Sequence, residues 1–292
     1  MLKQESESSR WALGKPWRNA FYMTLPALIL LVIFYFYPIL KLVPKSFIDS
    51  DGHVTASFFT RVFADELYIQ TLLRTLKIAG MATVINLLLG YPVAYVLAAV
   101  KQKTANLMVA IILLSFWTSL LVRTYSWMVI LQRTGIINKA LLALHIIDKP
   151  LTLMYTEFAV LIGMTNLLLP YMILPIFSVL KSIDNNLVFA ARSLGANSRK
   201  AFFKVTLPLS LPGVASGVLL VFIQSLGYYI TPLLLGGPQT MMITGLIDKQ
   251  MFTYMNWNFG SAIGMVLLVI TIIFLIGFDR LFGVDKLSDG LM

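Results

Sequence analysis

Few residues in this sequence have side chains that could do chemistry. There are no cysteines and only two histidines, His53 and His145, which lie far apart and read as surface residues rather than ligands. Disulfides, thiolate catalysis and Cys-ligated metals are therefore excluded. No GxxxxGK[ST] loop is present to cradle a phosphate, and no HExxH to hold zinc. No Ser-His-Asp or paired-carboxylate pattern falls within an apolar run. What remains is sparse charge and aromatic rings near the ends of apolar runs. Glu157 and Asp248 are carboxylates that could receive a cation, or solvated charges at a membrane boundary. Trp117, Tyr125, Tyr228, Tyr229 and Trp257 offer ring faces, each contributing about 0.5–2 kcal/mol to a cation. Arg123 has the opposite sign and would repel a cation unless paired. Gln224 could line a path or hydrogen-bond a neighbouring helix. Such groups suit contact with a passing solute, not bond-making. The chain is expected to be no enzyme, and to hold no metal or cofactor.

The elements that must position these residues are membrane spans. Hydrophobic residues make up 58% of the chain and charged residues 12%, about half the charged share of a soluble domain. Mean hydropathy is +0.82. The formal charge of +10 fits loops facing anionic lipid, so nucleic-acid binding is not inferred. Residues 1–19 form a polar tail. Ala20 to Leu40 carries no charge and would span roughly 31 Å as a helix, about the bilayer core. It is too long for a signal-peptide core and lacks a small-residue cleavage site. Further spans are expected at 78–100, 104–128, 158–180, 211–230 and 258–278, within a membrane domain over 20–280 and before a tail over 281–292. Lys41 to Lys77 reads as an external loop with a surface helix, and Thr231-Pro232 with Gly236-Gly237-Pro238 as an external or re-entrant turn. The aromatics Phe116, Trp117, Tyr125 and Trp127 suit either an interfacial belt or a pore lining. Six spans put both termini on one side, and the loops on that side hold most of the Lys and Arg although they are shorter.

One polar, basic island, Phe189 to Pro208, interrupts the apolar runs. Asp184, Asn185 and Asn186 offer acceptors for a helix start, and Gly195 suits a left-handed residue that ends two turns. Ser198 is expected to cap a second short helix, and Pro208 to restrict the chain before the next span. The outcome would be a helical knob on the membrane surface.

The spacing of Ala190, Ala191, Gly195, Val205, Leu207 and Pro208 resembles the "EAA" loop in the membrane subunits of binding-protein-dependent ABC importers. Phe189 stands where that pattern has Glu. The resemblance extends over about residues 20 to 280. Leu89 to Tyr95, Phe116 to Tyr125, Leu168 to Pro175 and Gly227 to Pro232 are similar to spermidine/putrescine importer permeases of the PotB type. The resemblance implies an all-α polytopic membrane protein with six spans and a coupling loop over 184–208, in which Phe189, Ala190, Ala191, Gly195, Ala196, Val205, Leu207 and Pro208 dock a cytoplasmic ATPase. It further implies an ATPase dimer holding ATP and Mg, a second, PotC-like permease subunit, a periplasmic solute-binding protein and a place in the bacterial inner membrane with both termini cytoplasmic. A polyamine is the solute implied. Alternatives are another small solute carried by the same importer class, such as an amino-acid-like compound, a phosphonate or another organic ion, or a stand-alone secondary transporter. The spans hold few ionisable groups for ion coupling, which speaks against the last.

Overall fold

The computed structural model describes residues 16–49 and 52–283. Lys3, Arg10, Lys15 and Lys286, all expected in the two tails, lie outside the described residues. Apart from one isolated bridge between Ile48 and Val54, the described secondary structure is helical. The first apolar run forms α1 (Pro16–Leu31), a π-helical turn (Val32–Phe36) and α2 (Tyr37–Lys45). Short α3 (Ser57–Ala64) precedes long α4 (Glu66–Ala99), then come α5 (Gln102–Trp117), α6 (Leu120–Leu131) and α7 (Ile136–Ala143). α8 (Glu157–Ser182) leads to two small helices, α9 (Asn185–Ser193) and α10 (Ser198–Ala201). A second π-helical turn (Phe202–Thr206) opens α11 (Leu207–Leu226). After α12 (Ile230–Leu235), α13 (Ile243–Asp248) and a third π-helical turn (Lys249–Thr253), α14 (Trp257–Phe282) closes the fold.

Five helices are long and apolar enough to cross a membrane, and a sixth span arises if α5 and the helix bent away from it count as one. That bend is 94°, where the sequence predicts one span over 104–128. Thr118 and Ser119 both adopt extended backbone, so the helix stops and restarts. At about 24 Å, α5 alone falls short of a bilayer core. The second helix begins at Glu66, well before the expected 78. Asp65 starts it, its carboxylate accepting the Leu67 amide at 2.9 Å, and Arg74 and Lys77 are good helix formers that continue it. The fifth helix spans Leu207–Leu226 rather than 211–230 and ends at Gly227.

The core is a three-helix packing of α4, α8 and α11. Ala82, Ala94, Leu168, Met172, Ile176 and Val221 are among its buried residues. Close approach depends on small residues. A Cβ on Gly213 of α11 would stand 2.9 Å from the Pro175 carbonyl and 3.0 Å from the Ile176 Cα of α8. Such small-residue contacts are how helices associate where lipid supplies no hydrophobic drive. α14 joins this core through Phe222 and Phe274, stacked at 4.0 Å, and also carries α2. By contrast, no residue of Phe21–Lys45 is fully buried.

A buried polar link ties the turn region to the core. Thr75 Oγ donates to the Thr71 carbonyl at 2.8 Å and accepts the Ile243 amide at 2.8 Å, which starts α13. Replacing Thr75 with valine keeps the shape and orphans that buried amide, a loss of about 1–3 kcal/mol. A lowered thermal midpoint of the purified protein is expected. An unchanged midpoint would show that α13 is not held by this bond.

Candidate functional site

The island between α8 and α11 folds as a knob. Asp184 caps α9, accepting the Asn186 amide at 2.9 Å. At the other end the Gly195 amide donates to the Arg192 carbonyl at 2.9 Å, and the Ala196 amide to the Ala191 carbonyl at 3.1 Å. With Gly195 at φ +86, this is the Schellman arrangement that ends a helix on a left-handed residue. The cap of α10 is Asn197, not the expected Ser198. Its carboxamide oxygen accepts the Lys200 amide at 2.8 Å, while the Ser198 hydroxyl receives Arg192 Nη2 at 3.3 Å. Asn presents a carbonyl acceptor one residue earlier, and the backbone turns there.

Pro208 does not separate the knob from the next span. Helix is continuous from Ser198 to Leu226, and Pro208 sits in the first turn of α11. The π-helical turn over Phe202–Thr206 widens the spiral before it, which relieves the clash of the prolyl ring with an earlier carbonyl. Val205 lies in that turn and Leu207 just after it, both partly buried. Phe202 anchors the knob against Tyr95 and Tyr91 near the C-terminal end of α4, with ring centroids 5.4 and 6.1 Å apart. Beyond this anchor the knob is bare. Leu194 is 89% exposed and Phe189 60%, and Ala190, Gly195, Arg192, Arg199, Lys200 and Lys204 are exposed beside them. Ala191 and Ala196 are half-buried by the turn they close. An exposed apolar tip with small residues, rimmed by cations, suits a protein partner.

The polar residues of the spans fall into separate places. Arg123 reaches back across the Thr118–Ser119 break, and its Nη1 donates to Ser115 Oγ at 2.8 Å. It lies close enough to Tyr228 to act on its phenol, as does Tyr171, which meets Phe116 edge-on at 5.0 Å. The Arg123 Nε is buried without a partner among the described residues. Tyr228 is held from behind, its carbonyl accepting Thr244 Oγ at 2.6 Å. Tyr229 lies within hydrogen-bonding reach of Asp248 and lines a cavity of about 240 Å3 between α12 and α13. Arg123 thus lies in the electrostatic neighbourhood of Tyr228, and Asp248 in that of Tyr229.

The other candidates stand apart. Trp117, at the break, is 88% exposed. Tyr125 lines a different cavity, with Gln132 and Arg133. Gln224 is exposed on α11. Glu157 is already engaged, since Lys77 Nζ stands 2.8 Å from its carboxylate. Glu157, expected either as a solute carboxylate or as a solvated interfacial charge, is thus paired with a partly exposed Lys77. Lys77, eighty positions away, carries no local signal that points to Glu157. Tyr171 was within reach of sequence reasoning, since it lies in the Leu168 to Pro175 segment.

A family model described as "Binding-protein-dependent transport system inner membrane component" matches residues 11–282. This chain belongs to that family. It is 38% identical over 252 residues to the spermidine/putrescine transport system permease protein PotB of Haemophilus influenzae, covering 84% of this chain and 88% of that one. The PotB protein of Escherichia coli K12 is 36% identical over 248 residues, covering 82% of this chain and 89% of the relative. Among solved structures, a bacterial ABC transporter importing the acidic polysaccharide alginate superposes with a TM-score of 0.77 at 16% identity, over 94% of this chain and 98% of that one. That likeness concerns the fold. The chain is a membrane permease subunit of the binding-protein-dependent importer class, with the all-helical fold of such subunits.

Proposed function

We propose that this permease carries a polyamine inward, in a complex with a cytoplasmic ATPase dimer that holds ATP and Mg, a second permease subunit and a periplasmic binding protein. The observation that carries the reading is the bare knob, a Gly195-terminated helical pair with Leu194 and Phe189 outward, displayed at one end of the three-helix core. Phe189 stands where the family pattern has Glu, so contact at that point is apolar rather than ionic. The knob's cations and the shorter, more basic loops favour placing both termini and the knob on the cytoplasmic side. On this reading residues 184–208 are the coupling loop, and ATP hydrolysis belongs to the partner.

The polyamine reading draws on the names of the similar permeases and on Tyr229 with Asp248. A carboxylate within reach of an aromatic ring is what an alkylammonium group requires. Arg123 stands by Tyr228 instead. Asp248→Asn keeps the shape and removes the charge. A charge-assisted hydrogen bond contributes about 1.5–3 kcal/mol, so spermidine uptake into proteoliposomes should fall about tenfold or more while the ATPase still co-purifies. Undiminished uptake would remove Asp248 from the path. The class of solute is tested by ATPase activity of the reconstituted complex with binding protein loaded in turn with spermidine, putrescine and an anionic or neutral solute of similar size. Stimulation by the polyamines alone is expected. Stimulation only by another solute would keep the importer and discard the polyamine.

A further inference from the structure

A groove opens at the end of the bundle that carries the knob, between the first turns of α5 and the last turn of α8. Its volume is about 390 Å3. Gln102, Asn106, Ser178 and Lys181 form its mouth, and Val109 and Phe177 its floor. The order is the same along both helices. Gln102 to Val109 is a rise of about 10 Å, and Lys181 back to Phe177 about 6 Å, so the lining turns from polar to apolar away from the helix ends. Leu107, Ile111 and Leu114 continue that gradient along α5, all largely exposed.

The groove sits at a membrane boundary. Glu157 starts α8, and Lys181 stands about 36 Å further along it, against about 30 Å for a hydrocarbon core. α5 leans on α8 through Phe116 and Tyr171, whose ring centroids are 5.0 Å apart, and the groove lies at the other end of α5. Its charge is of one sign. Lys181 lines it, exposed Lys101 and Lys103 flank the start of α5, and no carboxylate is among its lining residues. Among the described residues the one ion pair is Lys77 with Glu157, so these three ammonium groups pair with no carboxylate. Asp184, the acidic residue nearest to Lys181 along the chain, is engaged in capping α9. Gln102 Nε2 donates to Asn106 Oδ1 at 2.8 Å, which leaves the Asn106 amide nitrogen as a donor.

An ammonium and neutral donors above an apolar floor match a phosphodiester with acyl chains below it. A soluble anion would gain nothing from the floor. A protein segment would have to bring carboxylates to the depth of the membrane surface, where burying them is costly. Basic pockets between spans at the cytoplasmic boundary suit lipid headgroups for the same reason.

We propose that this groove binds an anionic phospholipid, with its phosphate between Lys181 and Asn106 and its acyl chains along Val109 and Phe177. The proposal rests on the cytoplasmic placement of the knob only for the leaflet that supplies the lipid. Lys181 shortly precedes Asp184, the cap of α9, so the bound headgroup ties the start of α5 to the root of the knob.

The test uses the whole permease–ATPase complex in phosphatidylcholine nanodiscs that carry a photoreactive phosphatidylglycerol. Peptide mapping should find label in 102–109 and 177–182. Unlabelled phosphatidylglycerol should displace it, and neither phosphatidylcholine nor soluble glycerol phosphate should. One ammonium at an anionic lipid surface corresponds to about fivefold in affinity. Lys181→Gln should therefore lower this labelling about fivefold and leave labelling elsewhere on the chain unchanged. Lys181 is exposed, so its variants should fold, and Lys181→Arg should keep the label because a guanidinium also binds phosphate. Equal displacement by phosphatidylcholine would reduce the site to ordinary surrounding lipid. Displacement by glycerol phosphate would make it a site for a soluble phosphate compound, and either result would overturn the proposal. So would the absence of label from both segments, the result expected if a second subunit covers the groove. The leaflet is tested apart. Ser198→Cys on the knob is a unique thiol in a chain without cysteines. If an impermeant maleimide reached it from outside intact cells, the cytoplasmic placement of the knob would fall and the ligand of the groove would stand.

Discussion

Replacing Gly195 with valine is expected to abolish solute uptake while the chain still inserts in the membrane. Gly195 sits at φ +86, and nothing stands within 4 Å of where a Cβ would be. The damage is therefore to the backbone and not to packing. A left-handed conformation costs an ordinary residue about 1–2 kcal/mol, and a β-branched one more. Valine would leave that conformation and give up the Gly195 and Ala196 amide bonds that close α9. Leu194, which those bonds hold out from the knob, would move with them. Asn tolerates the left-handed region far better, so Gly195→Asn should retain most of the uptake. The measurement is labelled-solute uptake, with immunoblotting for insertion and co-purification of the ATPase. Normal uptake by the valine variant would mean that the shape of this knob does not matter to transport.

Gly213→Val should act by the opposite route, through the core. There the Cβ would meet a backbone carbonyl, a backbone Cα and the Val179 Cβ, the last at 3.0 Å. Overpacking costs about 1–3 kcal/mol where neighbours can yield, and more where they cannot. Two of these three neighbours are main chain of α8, so α11 must move off α8 as a whole. A thermal midpoint several degrees lower in detergent is expected, with reduced yield. Gly264, on α14, has nothing within 4 Å of a Cβ, and Gly264→Ala should leave the midpoint unchanged or slightly raised. Equal midpoints for the Gly213 and Gly264 variants would show that the α8–α11 contact is looser than the geometry implies.

Local signals account for what the sequence discloses. Gly195 at the end of the run Leu187 to Leu194 announces a left-handed stop, and the stop is there. Charge-free runs locate the spans because hydropathy is what the bilayer reads. The same signal misplaces the start of α4, since Arg74 and Lys77 mark a boundary of the membrane and not of the helix. The break at Thr118–Ser119 has neither proline nor glycine to announce it and is held by tertiary contacts such as Arg123 to Ser115. Pro208 misleads because its effect depends on the widened turn before it. The pairing of Glu157 with Lys77 and the approach of Tyr229 to Asp248 are set by how helices pack, and no spacing along the chain encodes them.

The uninterrupted helix from Ser198 to Leu226 has a mechanical consequence. Its 29 residues make a lever about 43 Å long, with the knob at one end and Gly227, Tyr228 and Tyr229 at the other. The π-helical turn, Pro208 and Pro212 lie along it, yet the helix runs on through all three, so the two ends belong to one element. A tilt of about 10° swings the far tip by roughly 7 Å, comparable to the width of the cavity beside Tyr229. The stroke delivered at the aromatic end is thus set by helix length, and a single-residue insertion within α11 would change the angle at which that end arrives by about 100°.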